Sequence, residues 1–337
     1  MSTSALQVRQ LSYFGKIPAR GDFVKGSYNP QILKLLDNWL SKSMELLAED
    51  AQWKAIYDRV EPLQFICMGS RNKLAIAGFL AASHDLAKRR YPLVLAAPLE
   101  VEQALDFMID APMLLQPFWQ TCHGACNRLI QADSEEAAEL QLRELDSLQV
   151  PDEAELLVST EKSSYGTFVR ERNLLHLEQM LNVVGQPEDQ SVSVRRLILA
   201  LGLLLQPVMA SAVSRLDKGL TLPLPQDRSN ESLVASLWLD FISRFLQRAD
   251  FELVVFIGEI QGRRRLVIGF NGLSAQSLQS VLNQQVYAEH NINIDNAEWV
   301  EDSIHSSHAL YKLVSYLEQP QLPLDVVLDA FKEVFIG

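Results

Sequence analysis

Between residues 29 and 50 the apolar positions return every three or four residues, in "NPQILKLLDNWLSKSMELLAED". This spacing predicts an amphipathic helix whose buried stripe holds Ile32, Leu35, Leu36, Trp39, Leu40 and Leu47. Asn29 is placed to cap its free N–H groups, and Pro30 suits the first helical position, where a missing donor costs nothing. The pattern then changes. "LQFICM" (63–68), "KLAIAGFLAA" (73–82) and "PLVLAAPL" (92–99) are continuous apolar runs of strand length. The turn-like "GSRN" between the first two predicts an antiparallel pair. Residues 101–121 read as helical but carry Pro112 and Pro117, so a kink or break is expected there. "DSEEAAELQLRELDSL" (133–148) predicts a helix capped by Asp133 or Ser134, with acidic residues in its first turn.

Near residue 150 "QVPDEAE" reads as a domain boundary. Beyond it "AELLVST" suits a strand, "LLHLEQMLNVVG" a helix ending at Gly185, residues 195–214 an apolar helix, and residues 229–248 a helix capped by Ser229 or Asn230. "FELVVFIGEIQGRRRLVIGF" holds two β-branched and aromatic runs around Gln261-Gly262, which predicts a hairpin with a tight or bulged turn. Residues 274–286, 303–318 and 323–335 complete the predicted helices. The whole reads as an α/β chain of the α+β type. Two domains are expected, residues 1–150 and 151–337, each a mainly antiparallel sheet flanked by helices, in keeping with 337 residues.

Composition adds limits. Nearly half of the residues are hydrophobic and 21% are charged, which is ordinary globular usage. A net charge of −12 argues against nucleic acid as the main partner. The first hundred residues are weakly basic and residues 101–160 strongly acidic, an asymmetry that serves solubility or offers a basic face to an acidic partner. Three cysteines, Cys67, Cys122 and Cys126, point to a reducing compartment. No signal-like start is visible. The apolar run at 197–213 falls short of a spanning length and contains Gln206 and Pro207, so it reads as a core helix rather than a membrane insertion. A cytoplasmic protein is expected.

The stretch "YFGKIPARGDFVKG" (13–26) concentrates backbone punctuation ahead of the first helix. Its glycines are isolated and no Lys-Ser or Lys-Thr follows, so it is no phosphate loop. The tripeptide Arg20-Gly21-Asp22 has no use as an adhesion signal in a cytoplasmic chain. Cys122, His123 and Cys126 lack the second ligand pair of a structural zinc site. Asp302, His305 and His308 form a possible three-ligand helix face, or else a solvated helix start. No nucleophile elbow or zinc-protease motif occurs. No cofactor is implied. The triple arginine at 263–265 is read as guarding a sheet edge, with an acidic partner as the other reading.

The opening loop together with "SHDLAKRRYPLVLAAP" (83–98) resembles the N-terminal signature of the TagF family, accessory proteins of bacterial type VI secretion. Gly15, Lys16, Ile17, Pro18, Gly21, Asp22, Phe23 and Val24 match its first part, Trp39 the helix, and Asp85, Arg89, Tyr91, Pro92 and Leu93 its last. Leu86 stands where the pattern has Arg. Lys88 stands where it has Gly, which is expected to remove a place for unusual backbone angles. The resemblance covers about residues 11–125. It implies a non-enzymatic repressor that acts post-translationally by binding a forkhead-associated scaffold protein. No phosphatase metal motif accompanies it. The residues carried over as a partner-binding surface or a structural junction are Gly15, Lys16, Pro18, Gly21, Asp22, Phe23, Arg89, Arg90 and Tyr91. In the junction reading Asp22 pairs with Arg89. The alternative to the family's function is a metal-dependent hydrolase with its site between the domains, resting on Asp302, His305 and His308.

Overall fold

The computed structural model describes residues 10–27, 29–148, 150, 163–183, 191–210, 216–248, 250–306 and 308–337. The first half runs β1 (Ser12–Gly15), β2 (Val24–Gly26), α1 (Pro30–Leu47), α2 (Trp53–Tyr57), β3 (Leu63–Gly69), β4 (Leu74–Ala81), β5 (Leu93–Glu100), α3 (Ala104–Leu114), α4 (Gln116–Ile130) and α5 (Glu135–Asp146). The second half adds α6 (Ser163–Glu171), α7 (Leu174–Leu181), α8 (Val194–Ala210), β6 (Gly219–Pro223), α9 (Glu231–Ser243), β7 (Glu252–Ile260), β8 (Arg263–Gly269) and α10 (Ala275–Leu282). It closes with α11 (Tyr287–His290), β9 (Asn291–Asn293), α12 (His308–Leu317) and α13 (Leu324–Phe335).

The fold is α+β. The strands form a single nine-stranded sheet in the order β2-β1-β5-β4-β3-β7-β8-β6-β9, where two separate sheets were expected. The halves join edge to edge through β3 and β7, which pair antiparallel from Leu63 opposite Gly258 to Gly69 opposite Glu252. All pairs are antiparallel except β6 with β9. The "QVPDEAE" boundary and the "AELLVST" strand reading fall mostly outside the described residues.

Helices cover both faces of this sheet. On one face Phe65, Val94 and Phe256 pack with Leu36, Trp39 and Leu40 of α1 and Leu278 of α10. On the other, Ile66, Leu95, Val255 and Ile257 pack with Trp119 of α4, Trp238 of α9 and Phe331 of α13. Burial on both faces is why the strands read as continuous apolar runs rather than alternating ones.

Local chemistry sets the element ends. Asn29 accepts from Gln31 N and Ser134 from Ala137 N, so Ser134, not Asp133, caps α5. The stretch 101–121 breaks at Leu115, between α3 with Pro112 inside it and α4 with its proline in the first turn. Gln261 and Gly262 both have positive φ, 56° and 71°, and join Ile260 directly to Arg263. These angles suit the tight two-residue hairpin turn that matches strand twist.

Three expectations are corrected. Leu35 is 39% exposed and lies off the buried stripe of α1. The triple arginine does not guard an edge, because β8 lies inside the sheet between β7 and β6. Arg264 instead pairs with Glu231 and Arg265 with Asp295, all four buried. Finally, the helix expected at 303–318 is a 3-10 segment, Glu298–Ser306, followed by α12 starting at His308.

Candidate functional site

The opening loop runs along the β4–β5 connection, and one carboxylate organises both. Gly15 ends β1 at φ 146°, with the Pro92 carbonyl oxygen 2.1 Å from where a Cβ would stand, so only glycine fits. Pro18 occupies the second place of a turn in which Arg20 N donates to Ile17 O over 3.1 Å, a position its fixed φ favours. That turn sends Lys16 inward. Its Nζ donates to Asp85 Oδ2 over 2.9 Å, and Asp85 is fully buried.

Asp85 also accepts from Arg89 N at 2.9 Å and Arg89 Nε at 2.7 Å. Desolvation is the largest influence on its carboxyl and raises the pKa. The bonds from Lys16 and from the Arg89 main chain and side chain outweigh it and hold the pKa at about 2. Arg89 reaches on with Nη2 to the Gly21 carbonyl at 2.8 Å. Asp22 does not pair with Arg89. Its Oδ1 accepts from Phe23 N at 2.8 Å, and its side chain faces solvent. Arg90 makes a bidentate pair with Asp58, Nε to Oδ1 at 2.7 Å and Nη2 to Oδ2 at 2.6 Å.

Lys88 keeps the unusual backbone angle that its identity was expected to remove, with φ 61°. Its N–H donates to Asp85 O at 2.9 Å, and Leu86 N donates to Arg20 O at 2.8 Å. The tight turn over 85–89 therefore outweighs the local preference of lysine.

Aromatic rings finish the site. Phe23 stacks on Phe14 with centroids 5.3 Å apart and planes 7° from parallel, and meets Tyr91 edge-on at 4.9 Å. Lys16 Nζ lies 5.0 Å from the Phe23 centroid. Tyr91 shares a 3.0 Å hydrogen bond with Ser41 of α1, and burial pushes its hydroxyl up to about 12. Phe23 nonetheless remains 41% exposed, and Leu86 at the tip of the neighbouring turn 68%.

The nine carried-over residues thus lie together but divide. Gly15 and Lys16 face inward, Pro18 shapes the turn, Arg90 makes a partly solvated pair with Asp58, Tyr91 ties loop to helix, and Phe23 and Asp22 face out. Gly21 and Arg89 straddle the two. Three groups that complete the site, Asp85, Asp58 and Ser41, were not singled out. Asp85 was quoted within the signature, but nothing in its spacing announces that two cations converge on it.

The second sequence cluster spans two elements. His308 is exposed at the start of α12, His305 sits in the preceding 3-10 segment, and the His305 side chain lies outside those described. Among the described residues no group of three or more His, Cys, Asp or Glu side chains is placed to hold a metal ion. None of the described helices is long and apolar enough to cross a membrane.

An α+β chain whose first half folds a glycine-proline loop against a buried aspartate is similar to known proteins over that half. Residues 12–145 match the family described as "TagF N-terminal domain, Type VI secretion system-associated". The match ends at α5. Among solved structures, PA0076 from Pseudomonas aeruginosa PAO1 is 20% identical, with a TM-score of 0.35 over 42% of this chain. The chain spans 64% of the length of that structure. No curated protein matches.

Proposed function

We infer that this type VI secretion-associated protein is a non-enzymatic, cytoplasmic regulator that represses the apparatus post-translationally by binding a forkhead-associated scaffold protein. The observation that carries the reading is Phe23. It is exposed, yet stacking on Phe14, the edge of Tyr91 and the Lys16 ammonium hold it in place. An aromatic ring ordered before binding loses little entropy on docking, and such rings dominate interface energies. Leu86 and Arg89, on the turn that the opening loop runs along, are also largely exposed. Repression then works by sequestration, with no chemical step.

The test is a pull-down of the scaffold by purified protein, with secretion measured in cells. Phe23→Ala is expected to weaken binding roughly tenfold or more, about 1.4 kcal/mol, with the protein still folded and only a modest drop in melting temperature from the lost ring contacts. Wild-type affinity in Phe23→Ala, Leu86→Ala and Arg89→Ala would remove this face from the interface.

A further inference from the structure

Beyond the family match, a cavity of about 210 Å3 lies between α10 and the strands of the second half. Gly219 of β6, Phe256 of β7, Val267 of β8 and Asn291 of β9 give its floor, and Ser277 and Ser280 of α10 its cover. The volume is below that of drug-sized pockets, so an occupant is small.

One side chain on the floor is half satisfied. Asn291 is 7% exposed. Its Nδ2 donates to Ser280 Oγ at 3.0 Å and to the Tyr287 carbonyl at 3.3 Å. A carbonyl only accepts, so these bonds fix which end of the amide is the nitrogen. The other end, Oδ1, accepts from no described group. It lies 2.7 Å from where a Cβ on Gly219 would stand, so a glycine there leaves room over it. Unlike the orphaned polar atoms sealed inside the core, this oxygen stays accessible in a residue that lines the cavity. A buried acceptor without a donor is costly, and a donor entering the cavity relieves it.

Charge narrows the class. The titratable lining groups are Asp217 and His290. Asp217 is exposed and makes no ion pair among the described residues. The imidazole of His290 can give or take a hydrogen bond. Lys218 is outside the lining, with its Nζ on the Ala288 carbonyl at 3.3 Å. The first turn of α10 also borders the cavity, but Ser274 Oγ already caps the Ser277 N–H. The lining thus holds a carboxylate, no lysine or arginine, and an unmet acceptor. All three favour a cationic donor.

We propose that this cavity binds a small primary amine as its ammonium ion. The ammonium donates to Asn291 Oδ1 in the field of the Asp217 carboxylate, and the alkyl chain lies against Phe256 and Val267. The site is independent of the Phe23 face.

The test is ligand-observed NMR on the full chain with three probes of one shape, butylamine, butanol and butyrate, at about pH 8, where an ordinary imidazole is neutral. Butylamine is expected to bind with a millimolar dissociation constant, and the other two roughly tenfold more weakly. Asn291→Ala removes the acceptor and Asp217→Asn the charge. Each is expected to weaken butylamine by roughly fivefold or more. Should Asn291→Ala fail to fold, Asp217→Asn, at an exposed position, decides. The proposal is overturned if butylamine does not bind at about 10 mM, if butanol or butyrate binds as well, or if the folded variants bind it unchanged. Tighter binding of Nα-acetyl-lysinamide than of butylamine would assign the site to a protein side chain and overturn the small-molecule reading.

Discussion

Asp85 holds two cations with one buried carboxylate, and the two cations are not equivalent. Lys16 is buried, whereas the Arg89 side chain is 64% exposed. Replacing Asp85 with Ala strands the Lys16 charge and is expected to cost about 3–5 kcal/mol in denaturant unfolding. Arg89→Ala breaks a largely solvated pair and is expected to cost no more than about 1 kcal/mol. Equal losses in the two variants would contradict this division. The same carboxylate sets a pH dependence. Its folded pKa of about 2 lies below the unfolded value near ~3.9, so the unfolded chain binds more protons between them. This part of the stability is complete above the unfolded value and is lost as pH falls through the folded one. Acid titration of Asp85→Asn should show a flatter stability slope in that window than wild type. At Lys88 the left-handed backbone costs a lysine roughly 1–2 kcal/mol. Lys88→Gly is therefore expected to raise the melting temperature, less a part lost to the freer unfolded chain.

Among the elements, α1 shows how much of a helix periodicity reveals. Its cap, its proline and most of its stripe were legible because each follows from the spacing of a few neighbours. Leu35 was misplaced because its exposure depends on which part of the helix β4 and β5 reach. Trp39 is the anchor of the helix. It is 2% exposed, lies against Phe65 and Phe256, and donates from Nε1 to Ser274 O at 3.1 Å. Trp39→Ala is expected to cost about 3–5 kcal/mol in chemical denaturation. Because those neighbours come from both halves of the chain, the loss should appear in one transition. A second, unaffected transition would show that the halves unfold separately.

For the whole molecule, the junction is the sheet itself. The β3–β7 pairing makes one continuous ladder from strands almost two hundred residues apart in sequence. The buried pairs on β8 belong to this scale, since the neighbouring Arg264 and Arg265 reach Glu231 at the start of α9 and Asp295 in the turn after β9. Replacing Arg265 and Asp295 together with Met and Leu is expected to be neutral or stabilising. Asp295→Ala alone is expected to cost about 3–5 kcal/mol, because it leaves a buried arginine unpaired. Thermal melts of the three proteins check the order.

The sequence alone determined α1, strands β3 to β5, the hairpin at Gln261-Gly262, the cap at Asn29 and the family signature of the opening loop, while β1, β2, β6 and β9 went unread. All of these depend on residues within a few positions of one another, where backbone sterics and periodic burial act directly. Only the tertiary structure decided that the halves share one sheet, that the triple arginine lies inside it, and that Lys16 and Arg89 meet at Asp85 rather than Asp22. The reason is physical. Strand pairing and burial of charge are settled by which distant partner is within reach, and a single chain's spacing carries no record of that distance. In "YFGKIPARGDFVKG" local chemistry shaped the turn, and packing then decided that Lys16 points inward while Phe23 points out.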